Sequence, residues 1–240
     1  VPVAAFEAQM RRLHAQGWRT ASFADAVAVA QGAAPRPERA VVLSFDDGYA
    51  DNFEHALPIL ARYGFRGIFF IPTGSIDAPA PAPADRRMSW EQVRTLRAEG
   101  HEVGAHSVTH RKLTLLSAEE LAREVQECKR VLEARLTDRV EFFCYPAGHV
   151  NPMVQAAVRA AGYRGACTVE PGATRPGADA LALPRTEISG FDAPADFDKK
   201  LAGAYDWLHR LAQVAYRLSP RSRRHPANAM HPEGSPCAGS

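Results

Sequence analysis

The sequence predicts an α/β fold in which parallel strands alternate with helices. Short apolar runs that are typical of buried strands alternate with longer segments of helical periodicity. Polar clusters directly follow three of these apolar runs, at the position where the carboxyl ends of parallel strands meet. Such units wind into an open sheet or a barrel, and the five or more strands predicted here favour barrel-like closure.

Composition limits the class of protein. The chain has 240 residues, 46% of them hydrophobic, which is enough for one sizeable domain with its own core. Its 29 Lys and Arg residues nearly balance its 27 Asp and Glu residues, for a formal net charge of +2. This balance argues against nucleic acid or an anionic membrane surface as a partner. No window approaches the roughly 18 uninterrupted apolar residues of a transmembrane helix.

The four cysteines do not form a recognisable framework. They are too far apart for a metal knuckle and too sparse for a disulfide scaffold. Cys144 and Cys167 lie inside apolar strand-like runs, so we expect both to be buried thiols.

Two helices are predicted before the first main strand. In the first helix, Phe6, Met10 and Leu13 share one face, and the second follows Ser22 and ends near Gly32. The apolar, β-branched run over residues 40–45 then predicts a strand buried on both faces.

The alternation of strand and helix continues from there. Residues 51–63 have helical spacing, and Gly64 occupies a C-cap position. Ser89 is a predicted N-cap, and Ser117 forms a capping box with Glu120. Further strands are predicted over residues 67–72, 101–105, 140–146 and 163–169, with another helix over residues 151–163.

The end of the chain changes in character. A last helical pattern spans roughly residues 196–218. Residues 219–240 hold Pro, Gly, Ser and Arg without periodicity and are predicted to be disordered. We therefore expect one domain over residues 1–218 and a tail over residues 219–240.

The first polar cluster is the pair Asp46 and Asp47, which follows the strand predicted over residues 40–45. Two carboxylates at the end of a buried strand repel each other, so a cation or a network of donors must neutralise them. An ordinary Asp-Gly turn is the alternative.

The second cluster places His106 and His110 four residues apart, directly after the strand over residues 101–105. Two imidazoles at a strand end can converge on one ion, and neutral histidine is a common metal ligand. Two histidines and one aspartate leave coordination positions open, as in catalytic zinc sites. Two solvated loop histidines are the alternative.

The third cluster is the tetrapeptide Tyr-Pro-Ala-Gly over residues 145–148. It predicts a rigid turn whose backbone N–H groups point into the mouth of a site. Taken alone, it indicates no more than a strand followed by a turn.

Together, these clusters resemble a known family. The segments SFDDGY, GHEVGAHSVTH with the following Leu113, and FFCYPAG are similar to the first three motifs of the polysaccharide deacetylases. This family is also called carbohydrate esterase family 4 or the chitooligosaccharide deacetylase homology domain, and the likeness covers about residues 1–200. It implies a distorted or incomplete (β/α) barrel of about seven strands, with residues 1–218 as its catalytic domain.

The resemblance implies roles for the first two clusters. Asp46 is the implied catalytic base, and Asp47, His106 and His110 are the implied ligands of one divalent metal ion, most often zinc. The chemistry agrees, because an acetamide is a poor electrophile. Its hydrolysis needs a polarised carbonyl and a water that is nucleophilic near neutral pH, and both follow from one open metal site.

The third cluster has implied roles as well. The backbone N–H of Ala147 would stabilise the oxyanion, and Tyr145 and Pro146 would contact the substrate. Departure of a free amine also requires a general acid.

The chain departs from the family where that acid is expected. Cys144 occupies the position of a motif Arg, and no Leu-x-His motif is recognisable, since His209 lies in an amphipathic helix. The opening segment instead resembles permuted poly-N-acetylglucosamine deacetylases, in which a preceding Tyr-His segment supplies the acid. We therefore expect the general acid, and an N-terminal strand that carries it, upstream of Val1.

Three further residues carry weaker signals. Arg185 resembles a late-motif Arg of that subgroup that orients Asp46, and a surface strand Arg is the alternative. His149 directly follows the third cluster and is a weak candidate for the general acid. His101 begins the strand over residues 101–105, so it lies at the end of the sheet opposite the predicted site.

The predicted activity is metal-dependent removal of N-acetyl groups from N-acetylglucosamine units of a bacterial-type polysaccharide. One alternative is a deacetylase-like domain that binds metal and glycan without turnover. Another is a metal-dependent amidase that acts on a small molecule. The expected location is the cell envelope, periplasm or extracellular space, with the cytoplasm as the alternative.

Overall fold

The structure is a computed structural model, and it describes residues 1–203. The predictions for residues 204–240 lie outside the described residues. They comprise the rest of the last helical pattern, the tail over residues 219–240, and His209.

Five parallel strands form the centre of the fold. They are β3 (Leu43–Phe45), β4 (Gly67–Ile71), β5 (Glu102–Ala105), β6 (Phe142–Cys144) and β7 (Gly165–Cys167), and they lie side by side in chain order. Two short strands, β1 (Arg19–Thr20) and β2 (Ala40–Val41), pair in a separate small sheet. The curled five-stranded sheet is a parallel half-barrel, which confirms the α/β, incomplete-barrel prediction.

Seven α-helices accompany the strands in the part of the chain that the structure describes. They are α1 (Val3–Ala15), α2 (Phe23–Ala30), α3 (Leu57–Arg62), α4 (Trp90–Ala98), α5 (Ala118–Leu136), α6 (Pro152–Ala160) and α7 (Pro194–Leu201). None of them is long and apolar enough to cross a membrane.

The sheet separates two apolar cores because successive side chains of a strand point to opposite faces. On one face, Phe69 and Phe143 pack with residues of α3, α4, α5 and α6. On the other face, Phe70 and Cys144 pack with Phe23 of α2. Both faces of the strands are therefore covered, as parallel sheets require.

Serine side chains close three helix N-termini, and two of these caps, at Ser89 and Ser117, were predicted. Ser22, Ser89 and Ser117 each accept a hydrogen bond from the backbone N–H three residues later. In each case the side chain at that later position bonds back to the serine N–H, so two otherwise unpaired donors are satisfied.

The strand predicted over residues 40–45 is divided. Residues 40–41 pair with β1 and residues 43–45 pair with β4, and all of these residues are half-buried where full burial was predicted. The reason is that β3 is an edge strand of the half-barrel. Its residues line a cavity of about 710 Å³, so one flank of the strand is not covered by a neighbour.

The helix predicted over residues 51–63 is also interrupted. Residues Asn52–Ala56 form a π-helical turn, and α3 follows it. Pro58 explains the change, because proline lacks an N–H and its ring displaces the carbonyl four residues earlier. Gly64 follows the helix end with φ +69°, a left-handed conformation that suits glycine.

Candidate active site

The three polar clusters meet at one end of the half-barrel. Asp46 follows β3, His106 follows β5, and Tyr145 follows β6, each immediately after the last residue of its strand. Since the strands are parallel, their carboxyl ends lie at the same edge of the sheet. This edge is where α/β folds place their ligands.

Asp47, His106 and His110 converge as a possible metal-binding trio. The Asp47 Oδ1 atom lies 3.4 Å from His106 Nε2 and 3.1 Å from His110 Nε2. One ligand atom from each residue lies within 4.8 Å of the others. His106 is only 2% exposed, so the alternative of two solvated loop histidines is wrong. The His110 side chain is 42% exposed, which leaves one side of the trio open to solvent.

Strained backbone brings these side chains together. Asp47, Ser107 and His110 have φ values of +68°, +64° and +57°, a left-handed conformation that non-glycine residues rarely adopt. His110 N–H donates to Ser107 Oγ at 3.0 Å, which fixes the turn between the two histidines. Strain of this kind persists only where surrounding contacts determine the conformation.

Glu124 of α5 supplies such contacts, although the sequence analysis did not identify it. Its Oε2 accepts hydrogen bonds from the N–H groups of Val108 and Thr109, at 2.8 Å each. Glu124 is only 7% exposed. The available signal was its spacing, because it lies on the buried face of α5 between Leu121 and Cys128.

The protonation of the trio suits a cation. His106 Nδ1 lies 2.7 Å from the Cys144 carbonyl oxygen, which only accepts, so Nδ1 donates there and Nε2 is the ring nitrogen that faces Asp47. Hydrogen bonds from His106 and His110 hold the pKa of Asp47 well below its usual range. The hydrogen bond to Asp47 raises the pKa of His110, while burial and the positive charge of Arg87 oppose that rise. Two imidazole nitrogens and one carboxylate fit a divalent metal such as zinc.

Asp46 is bound by Arg185. The guanidinium donates to both carboxylate oxygens, at 2.8 Å each, and to the Thr168 carbonyl at 2.9 Å. The Arg185 side chain is only 17% exposed, so the alternative of a surface arginine is wrong. Burial raises the pKa of Asp46, but the hydrogen bonds and charge of Arg185 outweigh this effect and lower it overall. Asp46 is therefore ionised at neutral pH.

Cys144 contacts both parts of the site. Its carbonyl binds His106, and its Sγ lies 3.0 Å from Arg185 Nη2 and 3.4 Å from Asp46 Oδ2. Asp46, His106 and Cys144 also form a cluster of potential ligand atoms. Burial raises the pKa of the Cys144 thiol well above its usual value, so this cluster does not offer a thiolate. Cys144 and Cys167 are buried free thiols, as predicted.

The turn after β6 corrects one prediction. The Tyr145 side chain is fully buried, and its hydroxyl donates to the Leu181 carbonyl at 2.8 Å. Pro146 is buried as well. Neither side chain reaches the surface where a substrate would lie, so the substrate-contact role predicted for them is replaced by a structural one. Ala147 is exposed, with φ +53°.

The other two candidate histidines, His101 and His149, lie at different ends of the sheet. His101 is 3% exposed at the amino-terminal end of β5, and its Nδ1 accepts a hydrogen bond from Gly67 N–H at 3.1 Å. This position excludes it from the site. His149 is half-buried directly after the turn over residues 146–148.

A family model described as polysaccharide deacetylase matches residues 33–166, which is more than half of the chain and includes the three clusters. The chain belongs to the polysaccharide deacetylase family. Within that family, it is 28% identical over 189 residues to YxkH of Bacillus subtilis, covering 79% of this chain and 66% of the relative.

One further sequence relative and one solved structure resemble this chain. The poly-β-1,6-N-acetyl-D-glucosamine N-deacetylase of Escherichia coli strain K12 is 32% identical over 118 residues, which cover 45% of this deacetylase-family chain and 17% of that enzyme. The structure of IcaB from Ammonifex degensii has a TM-score of 0.76 at 24% identity, covering 85% of this chain and 89% of IcaB. The second comparison confirms the fold.

Proposed function

We propose that this polysaccharide deacetylase family member is a metal-dependent hydrolase that removes N-acetyl groups from N-acetylglucosamine units of a polysaccharide. The observation that carries the proposal is the division of labour between two adjacent carboxylates. Asp46 is bound to Arg185, while Asp47 faces His106 and His110. A base directly beside a metal-binding carboxylate is an arrangement that suits metal-assisted hydrolysis of an amide.

Asp47, His106 and His110 would hold the metal ion, which we take to be zinc because of their nitrogen and carboxylate donors. When bound, the ion supplies a water of lowered pKa and polarises the acetamide carbonyl. The Cys144 carbonyl keeps His106 in the tautomer that presents Nε2 as a ligand atom.

Asp46 would take the proton of the attacking water. Arg185 holds the carboxylate in one orientation and keeps it ionised, which is the form that accepts a proton. Each carboxylate oxygen has two lone pairs, so the two bonds to Arg185 leave acceptor sites free. General-base catalysis of this type contributes about 100-fold to 10,000-fold in rate.

Two later steps concern the oxyanion and the leaving amine. The exposed backbone of Ala147 would donate its N–H to the oxyanion that develops on the acetamide. The leaving nitrogen must also be protonated, and no residue among those described is assigned to that step. An acetylated glycan would reach such a site in the cell envelope or outside the cell.

The experiment is an acetate-release assay on N-acetylglucosamine oligomers after chelation and after addition of Zn²⁺. We expect release only with metal, and we expect the Asp46→Asn variant to bind metal without turnover. Asp85→Asn, on an exposed loop, is the matched control and should behave like the unmodified chain. Retained glycan binding without any acetate release would favour the binding alternative, and release only from small amides would favour the amidase alternative.

A further inference from the structure

Arg87 lies beside the loop that carries the two aspartates. Residues 48–50 run antiparallel to residues 86–88, with Met88 N–H donating to the Gly48 carbonyl at 2.9 Å. This pairing places Arg87 opposite Tyr49, two residues after Asp47. The Arg87 guanidinium stacks on the Tyr49 ring, 3.6 Å from its centroid. The stack holds a positive charge in a defined place at the edge of the candidate site.

The donors of Arg87 are unused. Within residues 1–203, its guanidinium has no hydrogen bond or ion pair, and its Nη1 atom is buried without a partner. The neighbouring cations differ, because Arg86 is paired with Glu54 and Arg111 is paired with Glu120. An unsatisfied buried donor is unfavourable, and such groups in folded proteins call for an external partner.

The position of Arg87 relative to the metal-binding trio links it to the substrate. It pairs with Tyr49, two residues after Asp47, and the Asp47 carboxylate lies 3.1 Å from the ring of His110, the exposed member of that trio. A sugar bound for deacetylation would lie over this exposed side, and the segment that carries Arg87 pairs with the loop that follows Asp47. Arg87 itself is half-buried, which keeps part of the side chain open to solvent.

We propose that Arg87, held by Tyr49, binds the carboxylate of an acidic sugar adjacent to the N-acetylated sugar that is hydrolysed. The inference rests on the proposed deacetylase function and names its substrate class as an acidic glycan. A planar guanidinium with free donors matches a carboxylate in a bidentate arrangement. A phosphate would call for additional free cations or a helix N-terminus, and Arg86 and Arg111 are already paired.

A purely structural role makes a different prediction. If Arg87 only braces the Tyr49 loop, its replacement will slow hydrolysis of neutral and acidic glycans by the same factor. If it binds a carboxylate, the loss will be confined to acidic glycans and will appear mainly in KM. The ratio of kcat/KM between acidic and neutral substrates therefore separates the two roles.

The test compares three N-acetylated oligosaccharides of equal length. One contains only N-acetylglucosamine, one alternates it with glucuronic acid, and one alternates it with N-acetylmuramic acid. The two acidic substrates distinguish a ring carboxylate from a lactyl carboxylate. We expect at least one to have the higher kcat/KM in the unmodified chain, and we expect Arg87→Gln to lower the acidic-to-neutral ratio about tenfold. Methyl esterification of the preferred substrate should abolish its advantage.

Two variants serve as controls. Arg86→Gln removes a neighbouring charge that is already paired, and it should leave the ratio unchanged. Arg87→Lys retains the charge without the planar fork and should give an intermediate ratio, provided that its thermal unfolding matches that of the unmodified chain. An equal effect of Arg87→Gln on all substrates, or an equal shift of the ratio by Arg86→Gln, would overturn the proposal.

Binding measurements separate this proposal from the proposed function. The same oligosaccharides are titrated into the Zn²⁺-loaded chain carrying Asp46→Asn, with and without Arg87→Gln. Tighter binding of an acidic oligosaccharide that depends on Arg87 would support the subsite even if no substrate is hydrolysed. Equal binding of acidic, neutral and esterified oligosaccharides would refute the subsite even if deacetylation is observed.

Discussion

Arg185 binds Asp46 through two hydrogen bonds of 2.8 Å, one to each carboxylate oxygen. The two residues are 139 positions apart in the chain, so the fold as a whole creates this pair. Arg185 also donates to Ser44 Oγ at 3.1 Å, which connects it to β3 itself. The candidate base is thereby fixed between the first and last strands of the half-barrel.

Asp46→Asn should abolish turnover while leaving metal binding intact. The amide keeps the shape of the carboxylate but cannot accept the proton of the attacking water. We expect acetate release to fall about 100-fold or more, with one metal ion per chain retained. Acetate release and metal analysis on the same sample check this, and unchanged turnover would exclude Asp46 as the base.

Arg185→Met should destabilise the fold because it leaves a partly buried carboxylate unpaired. Removal of one partner of a buried ion pair costs about 3 kcal/mol, and the partial exposure of Asp46 lowers that figure here. Urea unfolding measures the loss. Combining Arg185→Met with Asp46→Asn should recover part of the stability, and strict additivity of the two changes would contradict a direct interaction.

Asp47→Ala and His106→Ala should each remove bound metal. Each variant deletes one ligand atom from the trio, and the two ligand side chains that remain are not expected to hold the ion. In the unmodified chain, Zn²⁺ should raise the melting temperature, because a ligand that binds only the folded state stabilises it. The variants should show no such increase. A His14→Ala variant on the exposed part of α1 should retain it.

Glu124→Gln should weaken metal binding without removing any ligand. The carboxylate fixes the N–H groups of Val108 and Thr109, and thus the turn between the two histidines. Loss of a group that orients metal ligands typically weakens affinity about 10-fold to 100-fold. Competition with a chelator measures this change. Glu127→Gln, on the exposed face of the same helix, should leave the affinity unchanged.

His101 should make the fold sensitive to acid. Burial lowers its pKa, and its Nδ1 accepts a hydrogen bond, so the folded state favours the neutral ring. The unfolded chain protonates more readily, with a pKa near 6.5. The stabilisation is therefore fully present above about pH 6.5 and is lost as the pH falls towards the lower folded-state value, by up to about 1.4 kcal/mol per pH unit.

The measurement for His101 is urea unfolding of the unmodified chain and of His101→Asn at about pH 7 and about pH 5. Asparagine supplies a similarly placed acceptor that does not titrate. The stability advantage of the unmodified chain should shrink at the lower pH. A constant difference between the two proteins across this interval would show that His101 is not responsible.

Local signals predicted much of the fold. The serine caps depend on neighbouring residues only, and the sequence predicted those at Ser89 and Ser117, whereas it indicated only the start of a helix after Ser22. The division of the strand over residues 40–45 depends on what lies beside it, which periodicity does not report. Pro58 was visible in the sequence, but helical spacing on both sides concealed its effect.

The candidate site was predictable to the extent that strand ends define it. Asp47, His106 and His110 lie together because parallel strands place their carboxyl ends at one edge. Motif position alone did not reveal that Tyr145 points into the core, since alternation along a strand end is ambiguous. The sequence did not indicate Arg87 or Glu124. Tertiary contacts determine the burial of the Arg87 guanidinium and the hydrogen-bond partners of Glu124, and local patterns do not report them.

The contacts of Cys144 with His106, Asp46 and Arg185 have different chemical origins. The contact with His106 uses the backbone carbonyl, whereas the contacts with Asp46 and Arg185 use the side chain. Any amino acid at this position retains the carbonyl, so exchange of the thiol alters the surroundings of the base while the support of the metal ligand is preserved. A substitution at position 144 can therefore change the reactivity of the Asp46 carboxylate without altering the backbone contact that orients His106.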